Sequence, residues 1–247
     1  MNGQEKNSKG KSLRFIVAGG GTGGHIFPAI AIANAIKKIA PDSVFLFVGA
    51  KGKMEMEKVP QAGFEIKGLT IAGFNRSSLI KNFLLPWKLL NSFFQVAQIF
   101  REFAPDAVIG VGGYSSFPVL RYAQTKRIPT FIHESNSFAG KANIILGKKA
   151  TRIFTAIEGM EKFFPASKIT ISGNPVRQVI TEHTVTREAA LKHFGLSENK
   201  KTVLSVGGSL GAKNINEAID KDIELFEQNN SEHIIYEVNN GIISKHG

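Results

Sequence analysis

The sequence contains no cysteine. This absence excludes a disulfide scaffold and any metal or nucleophile site built on a thiol, and it fits a reducing compartment. Acidic residues are also few: 31 lysines and arginines stand against 20 aspartates and glutamates, for a formal net charge of +11. That balance favours an acidic partner, namely nucleic acid, an anionic membrane surface or a phosphorylated substrate. No spacing of His, Asp and Glu is typical of a metal site, so we expect neither a metal nor a cofactor.

A run of about 20 uninterrupted apolar residues, which a membrane-spanning helix needs, is missing as well. The long apolar segment Leu79–Phe103 is interrupted by two lysines and a proline. A segment lying in the plane of an anionic membrane surface, around Leu79–Phe94, fits this pattern better. The alternative is a buried core helix. We expect a mixture of the two, because a core alone does not account for Trp87 together with the lysines.

Apolar runs of four to six residues alternate with helical patterns along most of the chain. This alternation predicts an α/β fold with a parallel sheet covered on both faces. The polar loops follow the predicted strands, at the edge where open α/β sheets bind ligands. The predicted strands are Leu13–Ala18, Val44–Val48, Phe64–Leu69, Ala107–Val111, Thr130–His133, Arg152–Thr155 and Ile169–Ser172.

A second copy of the pattern begins near residue 200, with strand Thr202–Val206, a glycine loop, helix Asn214–Gln228 and strand His233–Val238. Two units of strand, glycine loop and helix predict two Rossmann-like domains, over residues 13–175 and 176–247. The polar residues 1–12 are expected to form a flexible tail and do not resemble a signal peptide. The second segment is shorter than the roughly 100–150 residues of a complete domain, so we expect it to be partial.

The first glycine loop, Gly19–Gly24, joins a strand to a helix. Backbone N–H groups at a helix N-terminus favour a phosphate or diphosphate. His25, directly after the loop, adds a titratable side chain and therefore indicates catalysis. The glycine spacing also fits a nicotinamide-dependent enzyme. However, the second strand ends in Gly49-Ala50-Lys51 without the acidic residue that holds the ribose, so only a cofactor with a 2′-phosphate stays arguable.

Three further motifs carry polar groups. His133-Glu134-Ser135-Asn136 follows a strand, and a capped turn accounts for Ser135 or Asn136 but not for the adjacent His and Glu. Arg177, in Gly173–Arg177, is suited to forked bonds with a phosphate, or alternatively to a linker salt bridge. Asp220-Lys221-Asp222 resembles a metal-binding D-x-D motif, but its predicted amphipathic helix, with Ile219 and Ile223 on the buried face, favours a solvated charge run.

Taken together, the motifs resemble the MurG family of bacterial N-acetylglucosaminyltransferases, over about Leu13 to Phe226. The motifs that carry the resemblance are Gly20–His25 with Phe27-Pro28-Ala29, Gly112–Ser116 with Pro118, His133-Glu134-x-Asn136, Gly173–Arg177 and Gly207–Ala212. The resemblance implies the two-domain GT-B fold and a peripheral enzyme on the cytoplasmic face of the inner membrane. It also implies inverting transfer of N-acetylglucosamine from UDP-N-acetylglucosamine to the C4 hydroxyl of the N-acetylmuramyl unit of undecaprenyl-linked lipid I. This transfer gives lipid II in peptidoglycan synthesis. The resemblance implies no nucleic-acid partner.

The resemblance also assigns roles to residues. It implies donor contacts for Thr22, Gly23, Gly24, Asn136, Arg177 and Ser209. His25 is the candidate base by position, with Glu134 as the alternative or as its orienting partner. We expect both to line the floor of a cleft with the substrate-binding residue Tyr114. Helix N-termini and Arg177 would offset the charge of the diphosphate, and no metal is needed.

The chain departs from the family in two places. Ser135 stands where the family usually has Gln, which bears on loop packing. After His233–Ile235 the family's later donor motifs do not follow, so we expect a truncated or frame-shifted, nearly inactive chain. The alternative is a non-catalytic remnant that binds lipid diphosphate or membrane.

Overall fold

A computed structural model describes residues 12–72, 85–176, 184–206, 213–228, 231–237 and 242–246. The chain divides into two compact units, Met1–Thr181 and Glu182–Gly247. The sequence placed the boundary after residue 175, and that boundary stays a prediction.

The first unit is built on a seven-stranded sheet in the order β3-β2-β1-β4-β5-β6-β7, with every neighbouring pair parallel. The α/β fold predicted from the apolar runs is confirmed. Strand order reverses between β1 and β4, which creates a crevice at the carboxyl ends of these two strands. The strands are β1 Arg14–Ala18, β2 Val44–Ala50, β3 Glu65–Leu69, β4 Ala107–Gly110, β5 Thr130–Glu134, β6 Arg152–Thr155 and β7 Ile169–Ile171.

Helices cover both faces of this sheet. Side chains alternate between the faces along each strand, so Ile16 packs in the core cluster with α3, α4 and α5, whereas Val17 packs in the cluster with α1. The helices are α1 Gly23–Ile39, α2 Glu55–Gln61, α3 Leu85–Phe103, α4 Ser116–Thr125 and α5 Lys141–Gly147, and short 3-10 turns lie at Met160–Lys162 and Ala166–Lys168.

Helix α3 occupies the described part of the long apolar segment, and residues 79–84 of that segment lie outside the described residues. Its proline is the second helical residue, where a missing N–H costs no helical hydrogen bond. One face packs on the core through Ser92, Val96, Phe100 and Phe103. Trp87, Leu90 and Phe94 remain 70%, 51% and 68% exposed. Within the described ranges, no helix combines the length and apolarity that crossing a bilayer requires.

The second unit contains a three-stranded sheet in the order β10-β9-β8, parallel between β8 and β9 and antiparallel between β9 and β10. The predicted helix Asn214–Gln228 is interrupted at Asp222, and β10 was not predicted. Asp220 and Asp222 are both exposed, as expected of a solvated charge run. The elements are α6 Arg187–Phe194, β8 Lys201–Val206, α7 Lys213–Lys221, α8 Ile223–Gln228, β9 Ser231–Glu237 and β10 Ile242–His246.

Candidate active site

The loops that follow β1 and β4 pack directly against each other at the crevice. The Gly20 N–H donates to the Gly112 carbonyl at 3.3 Å. A Cβ atom on Gly113 would lie 2.4 Å from the Gly20 oxygen, and the positive φ of +86° at Gly113 also favours glycine. Glycine at these positions therefore allows two backbones to touch where any side chain would separate them.

The N-terminus of α1 opens onto this crevice. Thr22 is the N-cap residue, its side chain makes no capping hydrogen bond, and the first turn holds no acidic residue. The first N–H groups of a helix lack partners within the helix and carry its positive dipole end. Thr22 and Gly24 are exposed and Gly23 is half-buried. This short segment can therefore contact an anion.

The segment whose N–H groups are available to an anion is narrower than the glycine motif suggested. The N–H groups of Gly19, Gly20 and Gly21 donate to Val48 O at 3.2 Å, to Gly112 O at 3.3 Å and to the Glu55 carboxylate at 3.0 Å. These three donors hold the loop in place and are not free to bind phosphate. Only the N–H groups of Thr22, Gly23 and Gly24 keep the role that the sequence assigned to the whole loop, because the His25 and Ile26 N–H groups donate to the Thr22 carbonyl at 3.1 and 3.2 Å.

His25 lies in the first turn of α1 and is half-buried. Its Nδ1 is 3.2 Å from the Gly20 carbonyl oxygen and 3.2 Å from Thr22 Oγ1. Because a carbonyl oxygen can only accept, we infer that Nδ1 carries the proton of the neutral ring. Nε2 then keeps its lone pair, as a general base requires. The ring packs on Gly112, since a Cβ there would lie 2.9 Å from Nε2.

Tyr114 follows Gly112 and Gly113 in the loop after β4, and it is half-buried. Burial raises the pKa of its hydroxyl, and the negative charge of Glu55 raises it further. The hydroxyl therefore stays protonated at neutral pH and can donate a hydrogen bond to a substrate oxygen.

Glu55 is the site residue that sequence reasoning missed. It begins α2, only 1% of its surface is exposed, and it fills the space beneath Gly20 and Gly49. One oxygen accepts from Gly21 N at 3.0 Å and the other from Ala50 N at 2.9 Å. The available signal was an acidic residue opening a helix soon after a buried strand that ends in Gly49-Ala50.

Glu134 is the last residue of β5 and is buried. One carboxylate oxygen accepts from the backbone N and the Nδ2 of Asn136, at 3.1 and 2.9 Å. The other accepts from Gly140 N at 3.2 Å and from Asn143 Nδ2 at 2.9 Å. These four donors occupy the carboxylate and hold the exposed Asn136 and the start of α5 in position.

The prediction that Glu134 is the alternative base or the partner of His25 stays a prediction, and the contacts give this carboxylate a structural role. Within the described part of the chain, no hydrogen bond joins the two side chains. The reason is strand alternation: Ile132 packs with the core cluster of α4 and α5, and Phe131 with that of α1. Glu134 therefore shares the face of Ile132, whereas His25 lies on α1 at the other face.

His133 is buried on the α1 side of β5, and its Nε2 lies 3.2 Å from the Gly173 carbonyl oxygen. Burial lowers the pKa of the ring, and the hydrogen bond to Gly173 opposes this only in part. The neutral ring thus ties β5 to the segment after β7, while Ser135 Oγ lies 3.5 Å from its Nδ1. Arg177 and Ser209 lie outside the described residues.

Residues 15–155 match the N-terminal domain of glycosyltransferase family 28. The chain belongs to this family. Its match spans β1 to β6 and so includes both glycine loops, His25 and the Glu134 loop.

Curated relatives agree with this assignment. The chain is 49% identical over 232 residues to a transferase of Bacteroides fragilis named UDP-N-acetylglucosamine–N-acetylmuramyl-(pentapeptide) pyrophosphoryl-undecaprenol N-acetylglucosamine transferase, covering 94% of the chain and 61% of the relative. A transferase of the same name from Christiangramia forsetii is 54% identical, with 88% and 59% covered. The chain therefore spans about 60% of the length of these curated relatives.

Solved structures agree on the fold. The crystal structure of MurG from Acinetobacter baumannii matches with a TM-score of 0.65 and 26% identity, over 87% of this chain and 58% of that one. The Neisseria meningitidis UDP-GlcNAc 2-epimerase bound to UDP-GlcNAc matches with a TM-score of 0.61 and 17% identity, over 92% and 66%, and shows the fold alone. The GT-B type of α/β fold, which the motifs implied, is confirmed.

The lowered pKa of His133 makes stability depend on pH. The folded state disfavours the protonated ring. The contribution of the neutral ring to the free energy of unfolding is therefore complete above about pH 6.5, the usual histidine pKa, and is lost as the pH falls below that value. We expect thermal stability to fall between pH 7 and 5.5, and to fall less in His133→Gln. His193→Gln, at an exposed histidine, is the control and should keep the native slope. Equal slopes in all three proteins would contradict this role of His133.

Glu134→Gln tests the structural role of that carboxylate. The amide offers one acceptor oxygen and turns an NH2 group towards N–H donors, so about two of the buried bonds are lost. We expect a loss of about 1–3 kcal/mol in the free energy of unfolding, measured by urea titration. Glu158→Gln makes the same change at an exposed position and should be neutral. An unchanged midpoint for Glu134→Gln would show that the four contacts do not stabilise the loop.

Proposed function

We propose that this chain supplies the acceptor side and the base of an inverting transferase that moves N-acetylglucosamine from UDP-N-acetylglucosamine to the C4 hydroxyl of the N-acetylmuramyl unit of lipid I, giving lipid II in peptidoglycan synthesis. The observation that carries the proposal is the imidazole of His25. Its Nδ1 is engaged by the Gly20 carbonyl at 3.2 Å, and Nε2 is left as an acceptor at the sheet crevice. The names of the transferases from Bacteroides fragilis and Christiangramia forsetii support this choice of substrates.

The reaction follows from these positions. The C4 oxygen of the acceptor forms a bond to the anomeric carbon of the donor while the bond from that carbon to UDP breaks. The proton of the C4 hydroxyl passes to His25 Nε2, and the resulting imidazolium is stabilised because Nδ1–H already donates to the Gly20 carbonyl. Tyr114, protonated at neutral pH, supplies a hydrogen bond to the bound sugar.

The departing diphosphate gains negative charge in this step. The N-terminus of α1, with Thr22, Gly23 and Gly24, offers N–H groups and a positive dipole end to it. Glu55 lies behind Gly21 and disfavours a phosphate there. Three more residues complete the proposed donor contacts. They are Asn136, which Glu134 holds in place, and also Arg177 and Ser209. No metal has a step in this scheme.

Membrane binding is the second part of the proposal. Trp87, Leu90 and Phe94 are spaced by three and four residues, so they share one face of α3, and all are at least half exposed. We call this face the α3 apolar ridge. An exposed ridge of this kind, on a chain with a net charge of +11, supports peripheral binding to an anionic membrane surface at the cytoplasmic face. Such binding would keep the enzyme beside its polyprenyl-linked acceptor.

The base is tested in a hybrid enzyme, because the chain spans about 60% of its relatives. Residues 13–176 replace the corresponding segment of the Bacteroides fragilis transferase, and transfer of labelled N-acetylglucosamine to a soluble lipid I analogue is followed. We expect turnover by the hybrid and a fall in kcat of about 10²–10⁴-fold in His25→Asn. Asn can still donate to the Gly20 carbonyl, so this variant removes the base and keeps the loop contact.

Two controls accompany the assay. Glu158→Gln should leave kcat unchanged, and exogenous imidazole should restore part of the activity of His25→Ala. A hybrid that turns over equally well with Asn at position 25 would exclude His25 as the base. Saturable binding of the acceptor analogue without any transfer would favour the non-catalytic alternative.

The α3 apolar ridge is tested by co-sedimentation with vesicles of anionic and of zwitterionic lipid. We expect the native chain to prefer anionic vesicles. The double variant Trp87→Glu/Phe94→Glu should bind at least tenfold more weakly, since burying each aromatic side chain contributes roughly 1.5–3 kcal/mol. The melting temperature should not change, because both side chains are exposed. Ile39→Glu, at an even more exposed apolar residue of α1, is the control. Equal binding by the double variant and the native chain would place the contact elsewhere.

A further inference from the structure

Glu55 and His25 contact opposite ends of one peptide group. Gly21 N and the Gly20 carbonyl belong to the same peptide plane. The N–H donates to Glu55 Oε2 at 3.0 Å, and the carbonyl oxygen lies 3.2 Å from His25 Nδ1. The side chains are thus linked in the order carboxylate, peptide, imidazole, although they lie 30 residues apart in the sequence.

We propose that Glu55 is a positioning residue that acts through the Gly20–Gly21 peptide to hold His25 in the tautomer with its proton on Nδ1. This inference rests on the proposed role of His25 as the base. A general base is commonly oriented by a third group bonded to its far nitrogen. Here the peptide carbonyl contacts that nitrogen directly, and the carboxylate fixes the peptide.

The carboxylate is held rigidly enough for this role. Its second oxygen accepts from Ala50 N at 2.9 Å, which anchors it to the end of β2. The side chain lies directly against Gly20 and Gly49, where an added Cβ atom would clash with it, and it is 1% exposed. Both oxygens accept from N–H donors, which suits a carboxylate and suits an amide poorly.

The peptide also transmits polarisation. In a chain of hydrogen bonds each bond strengthens the next, more so in a buried, low-dielectric site. A carboxylate that accepts from the Gly21 N–H raises the electron density of the Gly20 oxygen, and hence the affinity of that oxygen for the Nδ1 proton.

The buried position of Glu55 also matters for an anionic substrate. A carboxylate bonded directly to His25 would repel the diphosphate, whereas Glu55 lies buried behind the loop.

The test is the tautomer of His25, read from ¹⁵N chemical shifts of the 247-residue chain labelled at histidine. In the native chain we expect a protonated Nδ1 and an unprotonated Nε2. In Glu55→Gln the proton should shift in part to Nε2, because the Gln amide cannot accept from both Gly21 and Ala50. Glu57→Gln makes the same change two residues later on the exposed side of α2 and should leave the tautomer unchanged.

A folded Glu55→Gln chain with the native tautomer would overturn the proposal and leave Glu55 a packing residue. Should this variant not fold, Glu55→Asp replaces it, since it keeps the charge but is one methylene too short to reach both donors, and the same two outcomes apply. In the hybrid enzyme Glu55→Gln should lower kcat about 10–100-fold with little change in the KM for UDP-N-acetylglucosamine. The tautomer measurement needs no turnover. An unchanged kcat in the His25→Asn hybrid would therefore refute the proposed function without altering the tautomer result.

Discussion

The close contact between two glycine loops is the constraint on which the rest of the site depends. The loops after β1 and β4 meet at the reversal of strand order, where parallel sheets leave a crevice. There the Gly20 N–H bonds to the Gly112 carbonyl, and neither loop leaves room for a side chain at the contact. His25 rests on this double loop, with its ring against Gly112 and its Nδ1 on the Gly20 carbonyl. Backbone atoms of the two loops therefore position the ring, together with one side-chain contact, from Thr22 Oγ1 to Nδ1 at 3.2 Å.

Two buried carboxylates stabilise the loops around this contact. Glu55 accepts from two backbone N–H groups under the first loop, and Glu134 accepts from four donors in the loop after β5. A buried carboxylate is costly unless its oxygens are satisfied, and here they are. The negative charge is thus used to hold N–H groups in place, which leaves the imidazole as the group suited to accept a proton.

Much of the fold could be predicted because its signals are local. Runs such as Val44–Val48 identified buried strands, and the glycine loop with His25 identified the helix that carries the candidate base. The role of Glu55 could not be predicted from local pattern, since its partner Gly21 is 34 residues away. The contacts of Glu134 could not be predicted for a different reason. Adjacent residues of a strand point to opposite faces, so His133 and Glu134 do not act as one pair. Strand β10 depends on its pairing with β9, which composition does not record.

We propose that the double glycine loop presents His25 Nε2 to the acceptor hydroxyl. The most direct measurement is a crystal structure of the hybrid enzyme with UDP and the soluble lipid I analogue. It should place the C4 oxygen about 2.6–3.2 Å from Nε2, with Nδ1 still on the Gly20 carbonyl. A C4 hydroxyl bound beside a different base, or a His25 ring turned away from Gly20, would contradict the claim.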